Sequence, residues 1–115
     1  MINPELKNTI KALRKASKKG GSATWEALAE ELDRAKRRRV AVNLSRINRH
    51  SRAGDVVAVP GKVLAAGALK HPVTVAAFSF SEKAREKTED AGGRALSLTE
   101  LLAEGIEPSN IRILK

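Results

Sequence analysis

The sequence contains no cysteine, which excludes disulfide bonds and thiolate metal sites. Aromatic residues are also scarce, with one tryptophan, two phenylalanines and no tyrosine, so the core must consist of valine, leucine, isoleucine and alanine. No apolar run approaches the roughly 20 residues that span a bilayer. The first residues lack the apolar segment of a signal peptide. We therefore expect a cytoplasmic protein that has no membrane partner.

Acidic residues are missing from residues 34–52, although this stretch contains eight lysines and arginines. Apolar residues among them, such as Val42 and Leu44, are predicted to hold the stretch against a core. The arginines would then be fixed in place rather than trailing in solvent. The cations are Arg34, Lys36, Arg37, Arg38, Arg39, Arg46, Arg49 and Arg52.

The formal net charge of +9 comes entirely from the first half of the chain. Residues 1–54 hold 14 lysines and arginines against 5 acidic residues, whereas residues 55–115 hold 8 of each. One-sided charge of this kind is typical of proteins with a polyanionic partner. The 115 residues fit a single domain, 1–115. Within it we expect a basic helical half, residues 1–54, and a neutral α/β half, residues 55–115.

Residues 4–19 are predicted to form a helix that begins at Pro4 and ends before Gly20. Apolar residues recur at helical spacing along one face, from Leu6 to Leu13. Beside that face runs an edge of cations, which we interpret as facing phosphates, with a solvated amphipathic face as the alternative. The edge consists of Lys7, Lys11, Arg14 and Lys18.

Four further helices are predicted from hydroxyl side chains that can accept from a free backbone N–H of the first turn. Thr24 precedes a helix with Trp25 on its apolar face and acidic residues on its outer face. Ser45 precedes a short helix inside the basic stretch. Ser81 is expected to begin a helix after the most apolar strand, and Ser97 to begin one through a capping box.

Short strands are predicted between these helices, at residues 40–43, 56–59 and 73–80. The last of these is apolar on both faces, which favours a central, covered position. Pro60-Gly61 is predicted to form a turn. Because short strands alternate with short helices, we expect an α/β fold with a partly parallel sheet.

No motif for catalysis is present. A phosphate-binding loop needs four residues between its glycines and a hydroxyl after its lysine, but Gly54 and Gly61 are separated by six residues and Val63 follows Lys62. A nucleophile elbow is absent, and the two histidines lie far apart without neighbouring ligands. We therefore predict no enzyme activity, no metal or other cofactor and no small-molecule substrate, and we expect Lys62 to point outward.

Folded RNA is the polyanion that these features favour. Scarce aromatics argue against a platform for stacking single strands, and the helix after Ser45 is too short for a typical DNA recognition helix. RNA is recognised through shape, phosphates and 2′-hydroxyls, and His50 would add a neutral hydrogen-bonding group to the arginine surface. The alternative is a basic DNA-binding or protein-interaction module.

Five segments of the chain, taken in order, carry a resemblance to a known family. They are NPELKNTIKALRKAS, VNLSRINRHSRAGDVVAVPGKVLAAGAL, VTVAAFSFSEKAREK, AGGRALSLTELL and IRIL. Together they resemble the eighteen-e family of large-subunit ribosomal proteins of archaea and eukaryotes, which is related to bacterial ribosomal protein fifteen. The length is that of the archaeal form.

The resemblance implies an irregular β-β-α superhelix of short strands and helices, preceded here by the basic N-terminal helical segment. It also implies a constituent of the large ribosomal subunit, with large-subunit ribosomal RNA and neighbouring ribosomal proteins as partners. Ala35 departs from the family pattern, because proline is expected there. The RNA-facing pattern of the family falls on Lys36, Arg37, Arg38, Arg39, Asn43, Arg46, Arg49 and Lys62.

Overall fold

Five helices and five strands follow one another along the part of the chain that the computed structural model describes, residues 4–34 and 40–115 without the side chain of Arg34. A short 3-10 turn, Pro108–Asn110, precedes the last strand. In chain order the elements are α1 (Pro4–Gly20), α2 (Ala23–Arg34), β1 (Val40–Asn43), α3 (Leu44–Arg49), β2 (Val56–Leu64), β3 (Thr74–Phe80), α4 (Glu82–Asp90), β4 (Arg94–Ser97), α5 (Leu98–Ala103) and β5 (Ile111–Ile113).

The five strands form one sheet, and every pairing between described strands is parallel. β1, β2, β3 and β4 lie side by side in chain order, and β5 returns to pair with β2. The chain therefore winds across the sheet as a superhelix of short strands and helices after the N-terminal helical segment. This confirms the predicted α/β class. The sheet is more regular than expected, since the sequence predicted only partly parallel pairing.

Helices cover both faces of the sheet. Buried residues of α1, α2 and α5 form one cluster with Ala58 and Ala76, and those of α3 and α4 form a second cluster with Val57 and Val75. Successive residues of β2 and β3 thus enter opposite clusters, because side chains alternate across a strand. β3 is consequently covered on both faces, as its apolar sequence predicted.

β2 continues through Pro60 and Gly61, so the turn predicted at this pair is wrong. Between Val59 and Lys62, β2 has one residue more than β3, which is a β-bulge. Proline cannot donate a hydrogen bond to a sheet, and Pro60 lies between the part of β2 that pairs with β5 and the part that pairs with β1. The N–H that Pro60 lacks would therefore lie at a position that pairs with neither β1 nor β5.

α2 begins earlier than predicted. The N-cap expected at Thr24 is wrong, because the Ser22 hydroxyl accepts from the Thr24 backbone N–H at 3.2 Å and the helix starts at Ala23. The Thr24 hydroxyl instead donates to the Pro108 carbonyl at 3.4 Å, which ties α2 to the turn before β5.

α4 and α5 begin at the serines predicted to cap them. The Ser81 hydroxyl accepts from the Ala84 N–H at 3.1 Å. The Ser97 hydroxyl accepts from the Glu100 N–H at 3.1 Å, and the Glu100 carboxylate accepts from the Ser97 N–H at 2.8 Å, which completes a capping box. The hydrogen bond from the Ser97 backbone is the main reason that the pKa of Glu100 is lowered.

We predict that Glu100→Gln reduces the loss of stability on acidification. The pKa of Glu100 is lower in the folded protein than its ordinary value, so its contribution is present above the unfolded pKa and is lost as the pH falls through the folded pKa. Between about pH 7 and about pH 3, the fall in Tm should be smaller for this variant than for the wild type. Glu89→Gln, which changes an exposed carboxylate of α4, is the control. Equal falls for wild type and Glu100→Gln would contradict the prediction.

We also predict that Gly61→Ala lowers the free energy of unfolding by about 2 kcal/mol. Gly61 pairs with Val40 of β1, and a Cβ added to it would lie 1.9 Å from the Val40 carbonyl oxygen, so the two strands would have to separate. Chemical denaturation measures the effect. Gly20→Ala is the matched control, since no atom lies within 4 Å of a Cβ added at that position. If both variants were as stable as the wild type, the tight contact between β1 and β2 would be refuted.

Candidate nucleic-acid interface

α3 presents arginines of the basic stretch from a helix that is fixed in the core. Leu44 and Ile47 are fully buried, whereas Arg49 is exposed and Arg46 is half-buried. For the described part of the stretch, this confirms the expectation that apolar residues hold it in place. With six residues, α3 is short, so its rigidity comes from this burial and not from helix length.

The N-terminus of α3 lacks a side-chain cap. Asn43 occupies the N-cap position, but its exposed side chain makes no capping hydrogen bond. The cap predicted at Ser45 is wrong, because Ser45 lies within the first turn, where its backbone N–H donates to the Ala66 carbonyl at 3.1 Å. The Asn43 amide therefore remains available at the surface, as the predicted contact with RNA requires.

The loop at residues 65–72 braces α3 from outside. Gly67 lies so close to α3 that a Cβ added to it would be 2.4 Å from the Cβ of Ser45. The Lys87 ammonium donates to two carbonyls of the loop at 3.0 and 3.1 Å. The Ser51 hydroxyl, just after α3, lies 3.0 Å from His71 Nε2. α3 is therefore held between core and loop, so its arginines have a fixed backbone.

A concavity of about 270 Å³ opens where α3 ends, and we name it the basic notch. It contains the C-cap residue of α3, His50, whose backbone N–H donates to the Arg46 carbonyl at 3.1 Å. The notch is lined by Arg49, His50, Ser51, Arg52, Asp55 and Arg112.

Arg112 was not among the residues predicted to bind RNA. It reaches the notch because β5 pairs with β2, with Arg112 opposite Val57. The alternation Ile111-Arg112-Ile113 indicates an outward arginine on a strand, which is a usable signal. The sequence offers no sign that this strand lies beside β2, however, since the pairing joins segments far apart in the chain.

The predicted cationic edge of α1 lines a second concavity, a groove of about 680 Å³ that we name the α1 groove. Lys15 joins the predicted residues there. Arg14 is partly engaged, because its guanidinium lies 3.0 Å from the Asp33 carboxylate and 3.9 Å from the Glu26 carboxylate of α2. The groove is lined by Lys7, Ile10, Lys11, Arg14, Lys15, Lys18 and Asp33.

Asn43 and Lys62 form a third group, on neighbouring strands. Val42 of β1 pairs with Val63 of β2, and both enter the same core cluster. Because side chains alternate along a strand, Asn43 and Lys62 lie on the opposite face, where both are exposed. Lys62 therefore points outward as predicted, although from a strand and not from a turn.

The most cationic part of the chain lies outside the described residues. Ala35, Lys36, Arg37, Arg38 and Arg39 belong to it, together with the side chain of Arg34. Their predicted contacts with RNA stay predictions, as do those of the three described groups.

Comparison with known proteins identifies the family. A family model described as ribosomal proteins 50S-L15, 50S-L18e and 60S-L27A matches residues 25–96. The chain belongs to this family of ribosomal proteins. It is similar to large ribosomal subunit protein eL18 of Methanothermobacter thermautotrophicus, at 48% identity over 98% of this chain and 93% of the relative. Proteins of the same name from Methanococcus maripaludis and Sulfolobus acidocaldarius are 44% and 42% identical, over 97% and 98% of this chain and 93% and 94% of the relatives.

Membership in this ribosomal protein family confirms the resemblance seen in the sequence, including its archaeal type. It also confirms that the chain is a structural component and not an enzyme. Within the described ranges, no group of three or more histidine, aspartate and glutamate side chains is placed to hold a metal ion. Of the helices that the structure describes, none combines the length and the apolar character needed to cross a membrane.

We predict that Arg14 stabilises the contact between α1 and α2 in this ribosomal protein. Arg14→Ala should lower the free energy of unfolding by up to about 1 kcal/mol, because the ion pair with Asp33 is solvent-exposed. A double-mutant cycle with Asp33→Ala should recover part of that energy as coupling. Lys11→Ala, which removes an exposed cation of the same helix, should leave stability unchanged. Zero coupling between Arg14 and Asp33 would contradict the assignment.

Proposed function

We propose that the chain is a structural constituent of the large ribosomal subunit and binds folded large-subunit ribosomal RNA through its basic N-terminal half. It would act in the cytoplasm, on the ribosome, with neighbouring ribosomal proteins as further partners. The names and the near-complete coverage of its archaeal relatives support the ribosomal role.

The distribution of unpartnered cations carries the proposal. The structure describes nine lysine and arginine side chains between residues 4 and 54, and of these only Arg14 makes an ion pair or hydrogen bond with another described residue. In residues 55–115, four of the eight have such partners or stack on a ring; they are Arg85, Lys87, Arg94 and Lys115. Most described cations of the basic half thus have no ion-pair partner among the described residues, as expected of a surface that meets a polyanion.

The position of the aromatic residues supports recognition of RNA by shape. Trp25 is buried, with 6% of its surface exposed. Phe78 packs against the cluster formed with α1, α2 and α5, and Phe80 packs against the cluster formed with α3 and α4. None is exposed as a platform on which bases could stack. The interface therefore consists of guanidinium, ammonium and amide groups, which contact phosphates and 2′-hydroxyls.

The alternative of a DNA-binding or protein-interaction module has less support. α3, the helix that carries arginines, has six residues and is covered by the loop at residues 65–72. A recognition helix must enter a major groove along its length. α3 is too short to do so, and the loop covers part of its surface.

The proposed mechanism is neutralisation of phosphates with release of counterions. Each phosphate that the protein neutralises contributes about 0.7 to 0.9 to the slope of log affinity against log salt concentration. The parallel sheet and its two clusters supply the rigid support, so that little conformational entropy is lost when the described cations meet RNA.

We predict that replacing Arg37, Arg38 and Arg39 together with alanine makes binding to RNA less dependent on salt. The slope should fall by about 0.7 to 0.9 for each phosphate contact that is lost. The measurement is the affinity of the protein for transcribed archaeal large-subunit ribosomal RNA over a series of salt concentrations. Replacing the same three arginines with lysine is the matched control, since charge is retained, and the slope should then persist.

An unchanged slope in the alanine variant would refute the role of these arginines. Binding of the wild type to a DNA duplex of mixed sequence, at physiological salt, separates the two candidate functions. Equal affinity for the duplex and for ribosomal RNA would favour the DNA-binding alternative.

A further inference from the structure

We infer that the basic notch is a binding site for the sugar–phosphate backbone of RNA, and that Arg112 of β5 is part of it. The inference rests on the proposed function and adds to it a specific site, its ligand chemistry and a residue outside the basic half. It is carried by the position of Arg112, by the charges of the notch and by the polar groups beside it.

The backbone fixes Arg112 at the notch. Ile111 is buried and Ile113 packs against the same cluster, so Arg112 between them faces the other way. The Leu114 N–H donates to the Ala58 carbonyl at 3.0 Å, which continues the contact between β5 and β2. The backbone of Arg112 therefore has a defined position, which favours a specific contact over a diffuse one.

The opposite wall of the notch is fixed by the turn after α3. The Arg52 backbone N–H donates to the Asp55 carboxylate at 2.9 Å, and the Asp55 N–H donates to the Arg52 carbonyl at 3.0 Å. Asp55 therefore holds the shape of the turn. No carboxylate of the described residues lies within 4.0 Å of the Arg49, Arg52 or Arg112 guanidinium groups.

The notch thus combines three guanidinium groups with one carboxylate, so its walls carry excess positive charge. Like charges held together repel one another, and an anion between them removes that repulsion. Guanidinium groups on two walls can donate to different oxygens of one phosphate, as their planar geometry allows. A phosphodiester is therefore the anion that fits best.

Neutral polar groups extend the notch towards the 3-10 turn that precedes β5. A neighbouring concavity of about 320 Å³ shares Asp55 and Arg112 with the notch and adds Ser109 and Asn110, both exposed. A hydroxyl and an amide can hydrogen-bond a ribose 2′-hydroxyl, which DNA lacks. Cationic groups followed by neutral polar groups match the alternation of phosphate and ribose along one RNA strand.

The experiment measures binding to transcribed archaeal large-subunit ribosomal RNA as a function of salt. Arg112→Ala should lower the slope by about 0.7 to 0.9, the effect of one phosphate contact. The double variant Arg49→Ala/Arg112→Ala should lower it by less than the sum of the single effects, because both side chains serve one phosphate. Asn110→Ala should weaken binding without changing the slope, because its contact is uncharged. Lys83→Ala, which removes an exposed cation of α4, is the control.

These outcomes separate the site from the proposed function. If Arg112→Ala behaves like Lys83→Ala while the alanine variant of Arg37, Arg38 and Arg39 loses slope, the notch is refuted and the proposed function stands. If neither variant differs from the wild type, the proposed function fails as well. Strictly additive effects of Arg49→Ala and Arg112→Ala would overturn the shared phosphate. Unchanged Tm values show that these exposed substitutions leave the fold intact.

Discussion

The main-chain contact between Val40 and Gly61 joins the basic stretch to the sheet. It is possible only because Gly61 has no side chain, since an added Cβ would overlap the Val40 carbonyl oxygen. Through this contact β1 pairs with β2, and α3 follows β1 without a connecting loop. Leu44 and Ile47 of α3 are buried, and residues 65–72 brace the helix from outside. The pairing of β1 with β2, which this close approach permits, therefore helps to position the arginines of α3.

The local features of the fold could be predicted from the sequence. The two-sided apolar pattern of β3 and the caps at Ser81 and Ser97 depend on neighbouring residues only, and the structure confirms them. Two hydroxyl residues that are two positions apart, Ser22 and Thr24, could each cap α2. A tertiary contact decides between them, because the Thr24 hydroxyl donates to Pro108.

Features that depend on distant pairing could not be predicted in the same way. A Pro60-Gly61 pair is typical of a turn, but here it lies within β2, at a bulge in the pairing with β3 and between the parts of β2 that pair with β5 and β1. Arg112 lines the notch because strands far apart in sequence pair with each other. Arg14 likewise forms an ion pair with Asp33, a residue of a different helix. The charge pattern identified the basic half of the candidate interface. The contribution of Arg112 could be found only from the pairing of β5 with β2 in the structure.

β5 has a consequence for how the protein is made. It is the last of the five described strands to be synthesised, yet it pairs with β2, an early strand, on the edge of β2 that also pairs with β1. Until it emerges, part of one edge of β2 stays open, and the last wall of the notch is absent. Lys115 then pairs with Glu31 at 2.9 Å, which joins the segment after β5 to a helix made near the beginning. Completion of the sheet by β5 thus coincides with completion of the proposed phosphate site.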